Sequence, residues 1–488
     1  MRDRIINKTG ILARSRTILF DQDQLWTRFV GDETATRAAH KVQHFTDEME
    51  LRRCYEYADP TEKAIWIIDN PSMYIPQDIA RQYYICRLSY ESIFPTLDAE
   101  ALRALPNIDY DLLSSCVDIA ALRPMNKDAT KRLCKQTIYA EEYARPYGQR
   151  LLDKAVTMAQ NAEGHRDWDM IAQHYGRAAM IHHSIAALRD FDSKRAVIED
   201  SFAAWIGAHY RMLSGTIDRA RPILLSKAAD FIRKGNNKIA LIVMDGMSFE
   251  NLYTILRSLD AVPLSFDIHS SFSFFPTVTS VARQSIFSGK LPREHDKPFS
   301  LENEEKQWRQ YWKAAGYKDN EIFYGKTEAP DIPLQTKAAG IIINICDDLM
   351  HAELQGLRGM AQGIDEWMKA GTLSRLIREL QSRCFAVYMT SDHGNTSAIA
   401  QGRFTKPGLL AEPASRRAVI YKDFADAIEL AKFTTVRYDN TYLPDGINTY
   451  LFGPDACCGD TGREYITHGG MTLEEAIVPF VKIGEYNG

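Results

Sequence analysis

Asp245, Asp347, His351, Asp392, His393 and His468 stand out in this sequence as residues whose types could hold a metal ion. Three of the segments that carry them share one form. Ile239–Met244 is an apolar run ending in Asp245-Gly246; Gly340–Ile345 leads to Asp347 and His351; Phe385–Met389 leads to Ser391-Asp392-His393-Gly394. Each reads as a buried strand whose carboxyl end delivers Asp or His, and in open α/β sheets ligands bind at that edge. One such Asp would be unremarkable. Three converging strand ends, with two histidines among them, point to a metal site.

Another segment, Ser273–Gln284, could supply a nucleophile. Thr279 or Ser280 is a natural N-cap for the helix that follows Pro276. A hydroxyl there sits beside free backbone N–H groups and the positive end of the helix dipole, a place that favours phosphate. Arg283, four residues on, shares a helical face with Thr279 and can reach a phosphoryl oxygen. Alone, the segment would read as an ordinary capped helix. His468 sits in the Gly-flanked turn Thr467–Gly470, just before a helix opened by the capping box Thr472–Glu475.

The elements that must position these groups follow from composition. The 488-residue chain is 45% hydrophobic and 25% charged, with a formal charge of −5, so nothing in the balance advertises nucleic acid or membrane. Its eight cysteines form no CxxC pair and read as reduced thiols. No stretch reaches the roughly 18 apolar residues of a membrane span, and the start lacks a signal-type apolar region, so a cytoplasmic location is expected.

Residues 1–95 read as a small α/β domain, with strands near Thr17–Phe20 and Ala64–Ile68 that end in Asp21 and Asp69. Asp21, Asp23 and Asp69 are read as turn and helix caps rather than an acidic site. Residues 96–235 read as a helical linker or partner domain, its His174, His182 and His183 as ordinary core or surface residues. After the polar break Arg233–Asn237, residues 236–488 alternate β-branched runs with helices, which predicts a mostly parallel sheet with helices on both faces. Trp308, Tyr311 and Trp312, in the charged stretch Lys297–Lys326 taken as a cap, could stack a base, but at helical spacing they read first as core. Cys457-Cys458 is read as incidental.

Together the motifs resemble the alkaline phosphatase superfamily, and within it the PglZ family. Asp-Gly after a strand, Pro-Thr-x-Thr before a helix ending in Ser-Gly, Asp-x-x-x-His, Ser-Asp-His-Gly and His-Gly-Gly occur in that family's order, over about residues 236–484. The resemblance implies an alkaline-phosphatase-like catalytic domain with two metal ions. It implies that Asp245, Asp392, His393 and the Thr279 oxygen hold one, and Asp347, His351 and His468 the other, with Thr279 between them. Oxygen and nitrogen ligands without thiolate suit two zinc ions, with manganese as the alternative. It further implies a phospho-Thr279 intermediate that water hydrolyses. Asp348, next to Asp347, fits the Asp-x-x-x-His spacing less well.

Phe275–Pro292 is also similar to the nucleophile segment of nucleotide pyrophosphatase/phosphodiesterases, with Ala282 where those enzymes have an Asn that holds a phosphate oxygen. Arg283 is the replacement expected here. An Arg at that offset also resembles sulfatases, but those convert a Cys or Ser to formylglycine, which Thr279 cannot become.

PglZ-family proteins belong to bacterial BREX phage-defence systems, and a related domain is the phosphodiesterase output module of a response regulator. Leu51-Arg52-Arg53 and Ser92–Asp98 look like the leading region of defence-type PglZ proteins, which implies other defence-system proteins docking through residues 1–235. Two functions remain: a metal-dependent phosphodiesterase or phosphatase (a hydrolase acting on nucleotides or nucleic-acid ends in antiviral defence), or mainly a scaffold of a BREX complex with weak or vestigial phosphatase activity. Retention of every ligand, with a hydroxyl between the metals, favours the enzyme.

Overall fold

Uninterrupted β-branched and apolar runs become strands buried along their whole length. The computed structural model describes residues 1–105, 108–120, 123–259, 264–352, 355–404, 415–422 and 430–485, and divides into two units, Met1–Ala144 and Arg145–Glu485. In the first unit, β1 (Arg16–Asp21), β2 (Lys41–Phe45), β3 (Ala64–Ile68) and β4 (Tyr84–Leu88) form a parallel sheet in the order β2-β3-β1-β4. Ile18, Phe20, Trp66 and Ile68 lie in its core. The Asp21 carboxylate accepts the N–H groups of Leu25 and Trp26 at 2.8 and 2.9 Å, and Asp23 pairs with Arg103 at 2.7 Å. Asp21 therefore caps the turn after β1, as expected, whereas Asp23 joins a distant part of the unit through Arg103.

The second unit is built on β5 (Ile239–Met244), β6 (Leu264–Phe272), β7 (Ile322–Lys326), β8 (Ala338–Ile343) and β9 (Ala386–Thr390). Short strands follow: β10 (Thr396–Ala400), β11 (Ala418–Lys422), β12 (Thr435–Tyr438), β13 (Ile447–Phe452), β14 (Ala456–Cys457) and β15 (Glu464–Thr467). The last strand, β16 (Ile477–Glu485), returns to the main sheet, whose order is β6-β16-β9-β5-β8-β7. β9, β5, β8 and β7 run parallel, and β16 runs antiparallel to β9 and β6. Val243 of β5 pairs with Ile342 on one side and Thr390 on the other. The three central strands thus end in register, and their following loops emerge along one edge.

Helices supply the packing layers of this unit. His165–Ser184 lies so close to Phe249–Ser258 that a Cβ on Gly176 would come 2.4 Å from Phe249 Cβ. His183 Nδ1 is 3.0 Å from Glu250, and the His182 ring stacks on Phe191 at 3.9 Å. These histidines are structural. Trp308 and Trp312 of the helix Glu304–Ala314 are fully buried, and Trp308 packs where Gly340 leaves room on β8. Of the two uses weighed for those rings, the core one holds, because the helix turns its aromatic face inward. Cys457 lies with Ala398 and Ala400 in a small apolar cluster. Among the described residues, no helix is long and apolar enough to cross a membrane.

Candidate metal centre and nucleophile

β5 delivers Asp245 and then Gly246, whose φ of 73° turns the chain away from the strand. The turn is held by Asn395, whose amide donates to the Gly246 carbonyl at 2.7 Å. β9 delivers Ser391, Asp392 and His393 beside it. Ser391 Oγ accepts the Met247 N–H at 2.8 Å, and Asp392 Oδ1 accepts the Gly246 N–H at 3.1 Å. Two strand ends are thereby stitched into one platform. Gly394 lies so close to Glu474 that a Cβ would sit 1.9 Å from its carbonyl oxygen, which accounts for glycine there.

Asp347 and His351 lie on the helix Ile345–Ala352, which begins one residue after β8. Their spacing puts both on one helical face, with His351 Nε2 3.2 Å from Asp347 Oδ1. Both are partly exposed and form the open side of the centre. His468, which follows β15, is 1% exposed. Its ring stacks on His393 at 3.9 Å with planes 6° apart.

Thr277 fixes that ring. Its carbonyl lies 2.8 Å from His468 Nδ1, and its hydroxyl accepts the Gly469 N–H at 3.1 Å. Gly469 has φ 113°, a conformation that favours glycine. The loop is anchored further by Glu475, which accepts from Thr472 at 2.6 Å and from Gly470 N–H at 2.8 Å. Glu475 also pairs with the fully buried Arg417 at 3.1 Å. Sequence reading found the capping box but neither Thr277 nor Arg417. No spacing rule connects Arg417 to a glutamate 58 positions on.

Two groups emerge whose ligand atoms lie within 4.8 Å of one another: Asp245, Asp392 and His393, and Asp347, His351 and His468. Thr279 completes the arrangement, its hydroxyl 3.0 Å from His393 Nε2. It is the first residue of the helix Thr279–Ser288, and the N-cap is Val278 rather than Thr279 or Ser280. The hydroxyl therefore does not cap its own helix and is left to face His393. Arg283 lies one turn on, 3% exposed, with Nη1 2.5 Å from Asp245 Oδ2. Nε and Nη2 each donate to Glu304 at 2.7 Å. The guanidinium expected on a phosphoryl oxygen is here turned to two carboxylates.

Two observations test whether these residues fit metal ions. First, Asp245 Oδ1, Asp392 Oδ2 and His468 Nε2 are buried without a hydrogen-bond partner, and all three belong to these groups. A buried polar atom left unsatisfied is costly, and an aspartate oxygen or imidazole nitrogen is satisfied equally well by a cation. Second, His393 Nδ1 and His468 Nδ1 face the carbonyls of Gly394 and Thr277 at 2.9 and 2.8 Å. Each Nδ1 must then carry the proton, so each Nε2 presents a lone pair, the tautomer a metal requires.

The electrostatics agree for His468, whereas the carboxylates beside His393 favour its protonated form until a cation takes the place of that proton. Burial, then the Asp392 charge, pushes the Asp245 carboxyl well above the usual range, with Arg283 only partly offsetting them. Burial and neighbouring His393 push His468 well below its ordinary value and keep it neutral. Burial opposes charge on His393, but the Asp392 and Asp245 carboxylates outweigh it and raise its pKa. For Asp347, burial is outweighed by the hydrogen bond to His351 and by the nearby imidazoles, which hold it below the usual range. The donor set fits metal ions.

Residues 223–407 match the family model of the BREX system PglZ alkaline phosphatase-like domain. This segment is a PglZ domain. It contains Asp245, Thr279, Asp347, His351, Asp392 and His393, while His468 lies beyond the matched range. The PglZ domain belongs to the alkaline-phosphatase-like class and supports a phosphohydrolase. Among solved structures, the chain is similar to murine ectonucleotide pyrophosphatase/phosphodiesterase 5, at 13% identity over 50% of this chain and 88% of that one, with a TM-score of 0.36. It is also similar to phosphonoacetate hydrolase from Sinorhizobium meliloti 1021, at 13% identity over 51% and 90%, with a TM-score of 0.37. No curated protein matches.

Proposed function

We propose that this protein is a two-metal phosphohydrolase, a phosphodiesterase acting on nucleotides or nucleic-acid ends in bacterial phage defence, with Thr279 as its nucleophile. The observation that carries the reading is the Thr279 hydroxyl, 3.0 Å from His393 Nε2, beside two groups in which Asp245 Oδ1, Asp392 Oδ2 and His468 Nε2 are buried without a hydrogen-bond partner. Asp245, Asp392, His393 and the Thr279 oxygen would hold one metal, and Asp347, His351 and His468 the other, as zinc or manganese. Bound there, the pair would lower the pKa of the hydroxyl and offset charge on the attacking and leaving oxygens.

The protein's own residues do the rest. Thr279 Oγ, its proton released to solvent, attacks phosphorus; an Oγ–P bond forms, and the bond to the leaving oxygen breaks, that oxygen departing with the electron pair and taking a proton from water. Water then attacks the same phosphorus, breaks the Oγ–P bond and restores Thr279. The first-turn N–H groups of the helix Thr279–Ser288 face the transferring group with the positive end of the helix dipole. His393 and His468, stacked and held by backbone carbonyls, cannot turn away. The exposed flank of Asp347 and His351 gives the substrate its entrance.

The test is hydrolysis of bis(p-nitrophenyl) phosphate and p-nitrophenyl phosphate by zinc- or manganese-loaded protein, beside an EDTA-treated sample. Diester turnover that EDTA abolishes and added metal restores is the expected result. Monoester turnover alone would make the protein a phosphatase. Turnover of neither, with metal bound, would favour a scaffold in a defence complex.

A further inference from the structure

We propose that Glu304 is a positioning residue for the metal site, acting through Arg283 on Asp245. The inference rests on the two-metal reading above. Glu304 is 1% exposed, at the start of the helix Glu304–Ala314. Its two oxygens accept Arg283 Nε and Nη2 in a bidentate fork, each at 2.7 Å. Tyr324 Oη donates to the same carboxylate at 2.6 Å, and Lys326 Nζ forms an ion pair with it at 2.9 Å. Four cationic or hydroxyl partner atoms occupy this carboxylate within the protein. Its work is to hold the guanidinium in one plane.

That plane decides what Asp245 can do. With Nε and Nη2 locked on Glu304, Arg283 presents Nη1 to Asp245 Oδ2 alone, and Asp245 Oδ1 stays buried without a partner. A free guanidinium would take both oxygens of a carboxylate, its preferred geometry. Charges alternate along the line Asp245, Arg283, Glu304, Lys326, so Glu304 also offsets a cation that would otherwise repel a metal. Glu304 thus keeps one Asp245 oxygen open and Arg283 in place.

The experiment measures zinc bound per chain, and its affinity by competition with a chromophoric chelator, in wild type, Glu304→Gln and Arg283→Lys. Circular dichroism confirms the fold of each variant. Gln keeps the shape of Glu304 but loses its charge and fork; Lys keeps the charge of Arg283 but cannot hold both carboxylates. Wild type should bind about two zinc ions. Each variant should weaken one of them by about 10- to 100-fold, the range for lost outer-shell partners of a metal ligand. In both variants, kcat should fall at limiting zinc and recover at high zinc, with KM little changed. Should Glu304→Gln fail to fold, Arg283→Lys carries the test. Unchanged zinc affinity with a raised KM that excess zinc does not repair would overturn the proposal and place Arg283 on the phosphoryl group. A wild type that binds no zinc or manganese would instead remove the reading on which the proposal rests.

Discussion

Thr279→Ala is expected to lower turnover of any ester this protein hydrolyses by at least about 1000-fold, the scale seen when a nucleophile is removed. Zinc bound per chain should stay near the wild-type value. The two halves of this prediction have separate physical grounds. In the proposed centre Thr279 would supply one oxygen beside three Asp and three His side chains. Its loss costs a single weak ligand, while the attacking atom disappears completely. The hydroxyl bonds to His393 rather than capping its helix, so no cap is lost and the fold should be unmoved. Steady-state kinetics and metal analysis on one preparation check both halves. Thr279→Ser, which keeps the hydroxyl, should retain far more activity than Thr279→Ala.

Asp392→Asn should make the metal-free protein more stable than metal-free wild type and the zinc-loaded protein less stable than zinc-loaded wild type. Asp245 and Asp392 are two buried carboxylates in one ligand group. In metal-free protein, burial and then the Asp392 charge raise the Asp245 pKa well above its ordinary value. A folded-state pKa raised in this way gives stability that is present below the unfolded value, near 3.8, and lost as pH rises. Removing the Asp392 charge removes part of that loss. The metal-free variant should therefore melt a few degrees above metal-free wild type at pH 7, with the gap closing toward pH 4. Zinc at about 1000 times its dissociation constant stabilises wild type by roughly 4 kcal/mol per site. The variant, short of one anionic ligand, should gain much less and bind about one ion instead of two. Thermal melts at both pH values, with and without zinc, read the crossover.

The strands that carry the site could be read from sequence because they are buried on both faces. Ile239–Met244, Ala338–Ile343 and Ala386–Thr390 are nearly continuous apolar runs, and Asp or His follows each. β6 leaves no such run: Ser265, Asp267 and His269 interrupt its apolar residues. β2 and β4 of the first unit are largely exposed and leave no run to notice. In the site, the residue types and their order named the candidate ligands. Their grouping came from the family resemblance rather than from spacing, and its physical basis is register: Val243 pairs with both Ile342 and Thr390.

The supporting residues were the least legible. A Glu in a first helical turn is expected from the helix dipole alone, so nothing marked Glu304 as the anchor of Arg283. Thr277 looked like part of a Pro-Thr-x-Thr motif, and its hold on His468 spans 191 positions of sequence. The Trp308 and Trp312 spacing fits either a stacking surface or a core, and only burial separates the two.

The most direct test of the central claim is a crystal structure of zinc-loaded protein with anomalous diffraction measured at the zinc edge. The account predicts two peaks about 4 Å apart. One should lie within about 2.0–2.2 Å of Asp245, Asp392 and His393 ligand atoms, the other at similar distances from Asp347, His351 and His468. Thr279 Oγ should lie at the first ion, facing the gap between them. One peak, or two that leave either group empty, would contradict it.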